Sequence, residues 1–456
     1  MKNREKIRYV CQECGYETLQ YLGRCPECGK WNTIVEERKA AGNSVPVRSG
    51  YFSSEVKKIE DITSADLHRY DAGMPELDAL LCGGVVDGQM VLVGGEPGVG
   101  KSTLFMQLAG AYSKKFDCLY ISGEESLSQV KMRASRLGVD SGNLYLASET
   151  MLSEIIEKIK QIKPKFLFID SIQTIFKEDI PSAPGSVSQV RECVAEILSF
   201  SKSAGIITFI CGHVTKEGTL AGPRVLEHLV DTVMYFESAK YHTYRILRCF
   251  KNRFGSVNEI GVFEMLTSGL NAVKNPSEIF IAQKPAGVPG SVVTCVIEGA
   301  RPILLEIQAL VSPSPLPVPR RQFSGIDYNR AVIIIAVLEK RLGMRLASND
   351  IFINVAGGIK TDEPSTDLAV ACAISSAYGN FAIPSGVGII GEVGLTGEVR
   401  SVTYLQRRLS EFEKLGLNTC VIPDSDLKSV KPGMLKIISV KSVSVAIEKI
   451  KINGSR

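Results

Sequence analysis

The residues best suited to chemistry are Gly95, Glu96, Pro97, Gly98, Val99, Gly100, Lys101 and Ser102, which complete a GxxxxGK[ST] pattern. The pattern follows the apolar run Met90–Val93 and opens a helical stretch, Thr103–Tyr112. Its glycines let the backbone close around phosphate, because a Cβ resists the dihedrals that such a wrap needs. Amide groups at a helix N-terminus then face the anion, with the helix dipole behind them. In that setting Lys101 reaches the β- and γ-phosphates and the Ser102 hydroxyl ligates Mg²⁺, so the loop with Thr103 reads as a site for ATP and Mg²⁺. An ordinary glycine turn is the alternative; the full pattern between strand and helix argues against it.

A second set is Cys11, Cys14, Cys25 and Cys28, spaced as two CxxC pairs. Such pairs bring four thiolates into a tetrahedron suited to Zn²⁺, and a closed four-sulfur shell leaves no position for catalysis. The surroundings, ECGYE and ECGKW, are turn-rich, which argues against a redox pair following a strand. A module this small would depend on metal for its fold.

These residues need a scaffold, and from about Arg69 the chain alternates apolar strands with amphipathic helices, the pattern of an α/β fold with a largely parallel sheet. Strands are expected at Met90–Val93, Cys118–Ser122, Leu144–Ala147, Phe166–Asp170 and Ile206–Cys211, with helices at Ser126–Leu137, Leu152–Ile162 and Val187–Ser203. Asp170 ends the run FLFIDS at a strand's carboxyl end, the expected place for a carboxylate holding Mg²⁺ through water. A polar stretch, Glu36–Ser54, reads as a linker. A strand pattern follows at Ile260–Met265, and a new segment begins near Gly269. Its Pro-rich stretch Ser312–Arg321, apolar helix Ala331–Leu342 and GEVGLTGEVRSV at Gly391–Val402 describe a second α/β domain. The expected division is a zinc module at 1–35, a linker at 36–66, an ATPase domain at 67–268 and a C-terminal domain at 269–456.

Composition sets the bounds. The 456 residues allow about two to four domains, and a net charge of +4 is too small to announce nucleic acid by itself. Twelve cysteines in an intracellular-looking chain suggest metal binding plus buried thiols rather than a disulfide framework. The charged start MKNREKIRYV lacks a signal-peptide core, and no run approaches the roughly 18 apolar residues of a membrane span. The expectation is a soluble cytoplasmic protein without a membrane partner.

The ordered set of zinc knuckles, phosphate loop, KNRFG at Lys251–Gly255 and the C-terminal segments resembles the RadA (Sms) family of bacterial DNA-repair proteins over almost the whole chain. The resemblance implies a RecA-type P-loop ATPase core, an N-terminal four-cysteine zinc module and a Lon-protease-like C-terminal α/β domain. It matches Glu124 of YISGEES to the glutamate that orients the attacking water. Neighbouring Glu125 remains open for that role, as does the reading that the pair only charges the start of the helix near Ser126. Ser182–Glu192 and Gly212–His228 look like the two loops with which RecA-like proteins hold single-stranded DNA. There Arg191, Lys216 and Arg224 would meet phosphates, with no aromatic for stacking, and His213 would sense the γ-phosphate. Solvated surface loops are the alternative.

KNRFG resembles the KxRxG element of replicative helicases, in which Lys251 and Arg253 would project onto the neighbouring subunit's γ-phosphate. Such an arginine finger is worth about 10³ or more in rate. That implies a ring, a homo-hexamer; direct DNA binding by these charges is the alternative. In the C-terminal domain KTDEPSTDLAV, Lys360–Val370, aligns with the Lon segment bearing the nucleophile and puts Ser365 there, which raises an ATP-dependent serine protease as the other function. Aligning GEVGLTG places Arg408 where Lon has its lysine base, and an arginine keeps its proton, so protease activity is disfavoured. Arg320, Arg321, Arg330 and Arg341 are further candidates for phosphate contact. The resemblance implies an ATP-hydrolysing, branch-migrating DNA helicase of repair and homologous recombination. Its partners would be single-stranded and branched DNA, a RecA-type recombinase and a replicative helicase.

Overall fold

The computed structural model describes residues 6–11, 16–39, 68–213, 224–238, 244–257, 259–281, 284 and 287–454. Cys14 and Lys216 lie outside them, and the side chains of His213 and Arg224 are likewise not described. The chain divides into two compact units, Met1–Val273 and Lys274–Arg456.

The N-terminal ribbon consists of β1 (Lys6–Cys11), β2 (Glu17–Thr18) and β3 (Ile34–Lys39), with β1 central and antiparallel to both. Cys11 N donates to Tyr16 O at 2.9 Å, and Cys25 N donates to Lys30 O at 2.9 Å around the turn that carries Cys25 and Cys28.

The core begins with α1 (Pro75–Leu80), β4 (Met90–Gly95), α2 (Lys101–Tyr112), β5 (Cys118–Ser122), α3 (Leu127–Arg136), β6 (Leu144–Ser148) and α4 (Leu152–Ile162). There follow β7 (Phe166–Asp170), α5 (Val187–Ala204), β8 (Ile207–His213), α6 (Arg224–Leu229), β9 (Thr232–Ser238), β10 (Tyr244–Asn252), β11 (Ile260–Leu266) and β12 (Gly269–Ala272). Among the described residues these strands form one nine-stranded sheet, ordered β12-β11-β10-β9-β4-β8-β7-β5-β6. From β9 to β6 all neighbours are parallel, while β9 to β12 are antiparallel. The central strands read as unbroken apolar runs because helices cover both faces. Val91, Val93, Tyr120, Phe168 and Phe209 pack with Phe105 of α2 on one face; Leu92, Leu119, Ile121, Leu167 and Ile210 pack on the other with Ile155 of α4 and Val194 of α5. Phe168 stacks on Phe209 at 5.1 Å and Tyr112 on Phe166 at 3.9 Å. Each buried ring contributes about 1.5–3 kcal/mol, which fixes α2, and therefore the loop before it, on the sheet.

The second unit comprises α7 (Pro276–Ile281), β13 (Ser291–Glu298), β14 (Arg301–Pro313), β15 (Arg321–Ser324), α8 (Tyr328–Leu342), β16 (Asn349–Val355), α9 (Asp367–Gly379) and β17 (Val387–Ile389). After them come β18 (Glu392–Val393), β19 (Val399–Arg400), α10 (Leu405–Lys414), β20 (Thr419–Pro423), β21 (Lys436–Val440) and α11 (Val443–Gly454). A mixed sheet runs β15-β16-β14-β13-β17-β20-β21, and β18 pairs with β19 as a separate hairpin. The fold class expected from sequence is the one observed: a RecA-type P-loop core, an N-terminal zinc ribbon and a Lon-like α/β domain.

Candidate functional site

The carboxyl ends of β4, β5, β7 and β8 meet at one edge of the large sheet, the usual place for a ligand in open α/β folds. The loop from Gly95 to Gly100 leaves β4 there. Gly98 has φ 77° and Gly100 φ 119°, a region that side chains with a Cβ avoid, so these glycines carry the turn into α2. Lys101, 4% exposed, donates from Nζ to Gly95 O at 2.7 Å and Glu96 O at 3.0 Å. Burial pushes its ammonium below the ordinary lysine range, opposed by the negative charges of Asp170 and Glu124. Ser102 and Thr103 occupy the first turn of α2.

Asp170 ends β7 and takes a hydrogen bond from Tyr120 OH at 2.7 Å. Arg133 of α3 stands 3.9 Å from it, with a buried Nη1 that has no hydrogen-bond partner among the described residues. The neighbouring glutamates part company. Glu124 accepts from Ser171 Oγ beside Asp170 and lies in the electrostatic field of Lys101. Glu125 is paired with Arg133, and its main chain is bonded to Ser122 Oγ in both directions, at 2.8 and 3.0 Å. Neither caps α3: Ser126 and Gln129 do so reciprocally, with Ser126 N on Gln129 Oε1 at 2.9 Å. His213 ends β8 in register with Gly95.

KNRFG is at the other edge. β10 runs antiparallel to β9, pairing Asn252 with Thr232, which pairs in turn with Val91 near the start of β4. At normal strand rise Met90–Gly95 spans about 17 Å, so Arg253 and the phosphate loop of the same chain are at opposite ends of the strands. Lys251 Nζ donates to Glu227 O at 2.7 Å, His228 O at 3.3 Å and Val230 O at 2.8 Å, capping the C-terminus of α6. Arg253, its side chain 51% exposed, contacts Asp231 at 3.2 Å. Arg69 Nη2 holds Phe254 O at 2.8 Å, and a Cβ on Gly255 would fall 2.1 Å from Cys82 Sγ. The structure therefore gathers Lys101, Ser102, Glu124 and Asp170, and does not bring Lys251 or Arg253 to them.

Of the candidate DNA contacts, Arg191 is exposed on the first turns of α5, and Arg224 begins α6. Gln189 pins the preceding loop: Nε2 donates to Lys177 O at 3.0 Å, Ile180 O at 2.9 Å and Ser182 O at 3.0 Å. In the second unit Arg320 is exposed, whereas Arg321 donates to Asn349 O, and to Leu346 O at 2.9 Å. Arg330 is paired with Asp367, its Nε 2.9 Å from Oδ1.

Ser365 lies in a 3-10 turn leading into α9, and Arg408 of α10, 0% exposed, donates to its Oγ from Nη1 at 3.1 Å. The same guanidinium is paired with Glu363 and donates to Thr403 O at 2.9 Å and to Cys295 O. A guanidinium that keeps its protons can only donate to the hydroxyl, not deprotonate it.

In the ribbon, the sulfurs of Cys11, Cys25 and Cys28 lie within 4.8 Å of one another, Cys11 Sγ and Cys28 Sγ at 3.7 Å. Three converging thiols fit a Zn²⁺ site.

Sequence reasoning missed Tyr120, Ser171 and Arg133, which set the carboxylates' positions, and Arg245, whose Nε donates to Val99 O of the phosphate loop at 3.2 Å. For Tyr120 and Arg245 the signal is strand register, which joins residues far apart in the chain, whereas Ser171 follows β7 directly and Arg133 lies two turns into α3.

Comparison with known proteins assigns three stretches of the chain to families. The family described as "Rubredoxin metal binding domain" matches residues 9–36, "AAA domain" matches 56–219, and "Subunit ChlI of Mg-chelatase" matches 329–426. The KaiC-like protein PH0186 of Pyrococcus horikoshii OT3 is 21% identical, with a TM-score of 0.39 over 45% of this chain and 99% of its own. The DNA repair protein RadA of Halalkalibacterium halodurans is 48% identical over 98% of both chains. That of Bacillus subtilis (strain 168) is 48% identical over 97% of this chain and 98% of its own. With that identity over nearly its full length, the chain belongs to the RadA family of bacterial DNA repair proteins.

Proposed function

We propose that this DNA repair ATPase is a ring-forming motor that moves DNA through recombination intermediates and that each ATP site is shared by two copies of the chain. The observation that supports it best is the opposition of Arg253 to its own phosphate loop along the strands. A half-exposed arginine beside the start of β4, a full strand length of about 17 Å before the loop begins, is placed to serve a nucleotide on a neighbour. In this reading Lys101 binds the β- and γ-phosphates, and Glu124, held by Ser171 and facing Lys101, orients the water. Glu125 is the weaker candidate because Arg133 occupies it. Ser102 and Asp170 would hold Mg²⁺, which would supply charge neutralisation on the phosphates.

Arg253 stabilises charge on the neighbour's γ-phosphate, and Lys251 braces α6 beside it. Arg191, Lys216 and Arg224 contact the backbone of single-stranded DNA, with Arg320 and Arg321 as weaker candidates, Arg321 because its donors are already used. The zinc ribbon and the Lon-like domain serve ring assembly and contact with a recombinase or helicase, and the second domain is not a protease because Ser365 faces Arg408.

The test mixes two inactive full-length variants. Arg253→Ala keeps a sound loop and Lys101→Ala a sound finger, so random mixing at equal ratio restores about a quarter of the interfaces in a head-to-tail ring. Recovered ATP turnover supports the shared site; no recovery at any ratio contradicts it.

A further inference from the structure

We propose that Asp231 is the positioning residue for Arg253, tying the finger to the first residue of the strand whose far end carries the phosphate loop. This rests on the reading of Arg253 as a finger acting in trans. Asp231 lies between α6 and β9, its side chain 2% exposed. On Oδ1 it meets Lys202 Nζ at 2.9 Å and Arg253 Nη1 at 3.2 Å; on Oδ2 it accepts from Met90 N at 3.1 Å. The main chain repeats both links: Asp231 N donates to Met90 O at 3.1 Å, and Arg253 N donates to Asp231 O at 3.1 Å. Asp231 is thus bonded twice to β4 and twice to Arg253.

A carboxylate so deeply buried is kept by its donors, and two of these are cations, so its charge fixes where they sit. Guanidinium has five N–H groups in a rigid fork; with Nη1 on Asp231 and half of the side chain in solvent, the fork is aimed and still has donors to offer. β4 in turn is buried at every residue and paired on both sides, so the anchor cannot drift. An aimed finger loses less rotamer freedom on meeting its phosphate than a free one.

Asp231→Asn keeps an oxygen for Met90 N–H and removes the charge that holds the cations. In full-length protein, kcat for ATP should fall about tenfold or more while KM changes less than about twofold. Added to Arg253→Ala, the substitution should cost no further activity. Mixed with Lys101→Ala it should regain turnover, and mixed with Arg253→Ala it should not, because both variants lack the same half of the interface. Full activity of Asp231→Asn overturns the proposal. So does an activity loss that Lys101→Ala does not rescue while it rescues Arg253→Ala in parallel, since Asp231 would then act on its own chain's loop or fold. If Arg253→Ala itself goes unrescued, the trans reading falls and takes the proposal with it. Asp231→Glu, which keeps the charge one methylene away, replaces the asparagine variant if that one does not fold, and its rescue pattern decides in the same way.

Discussion

The phosphate-loop edge of the large sheet and the Ser365 corner of the C-terminal domain are built from the same parts: a buried base, a hydroxyl at a helix start and a nearby carboxylate. They differ in how the base is used. Lys101 rests on the carbonyls of its own loop, while the carboxylates around it are engaged by others, Asp170 by Tyr120 and Glu124 by Ser171. Its charge is desolvated and, among the described residues, not neutralised by a direct ion pair, which is how a site prepares for an incoming anion. Arg408 is spent on Glu363, Cys295 O, Thr403 O and Ser365. A cation whose donors are all met by an ion partner and fixed oxygens makes a corner of the fold; a desolvated one resting on loop carbonyls makes a binding site.

The sharpest way to break that contrast is at Lys101. Lys101→Ala should lower ATP turnover by about 10²-fold or more, measured by phosphate release, with the fold intact by circular dichroism. Burial lowers the lysine's proton affinity in the folded chain, so between its folded value and the ordinary 10.5 the unfolded chain carries the extra proton and stability rises with pH. Lys101→Met should flatten that rise in urea unfolding at neutral and alkaline pH. At Arg408 the expected loss is of stability and not of chemistry. Arg408→Ala strands Glu363 and empties a buried position, for about 3–5 kcal/mol in denaturant unfolding.

Finer discrimination comes from the paired glutamates. Glu124→Gln should cost about 10²-fold in kcat, the usual scale for a residue that handles the reacting water's proton, and Glu125→Gln much less, because its carboxylate is already paired with Arg133. Smallest of all is Ser365→Ala, within about 1 kcal/mol in stability and silent in ATP turnover. Casein degradation that depends on Ser365 would refute the contrast from its other side.

Sequence made the phosphate-loop edge legible because chemistry and periodicity are local there. GEPGVGKS names its own loop, and the runs at Met90, Cys118, Phe166 and Ile207 are largely apolar because helices cover both faces. Strand β10 was harder: half-buried positions dilute its pattern, since along Tyr244–Asn252 only Leu247 and Cys249 are fully buried. Least legible were the polar partners. Lys251 reads as a free cation for a neighbour, yet its ammonium caps α6, more than 20 residues earlier, through a register no local window contains. Asp231, with Lys202, Met90 and Arg253 around it, is an unremarked residue in sequence for the same reason.

The measurement that tests the motor reading most directly is ATP turnover by the full chain with and without single-stranded DNA. The account predicts that turnover rises several-fold with DNA, that the rise weakens with salt, and that Arg191→Ala reduces it while leaving basal turnover in place. Turnover indifferent to DNA at every salt concentration would contradict it.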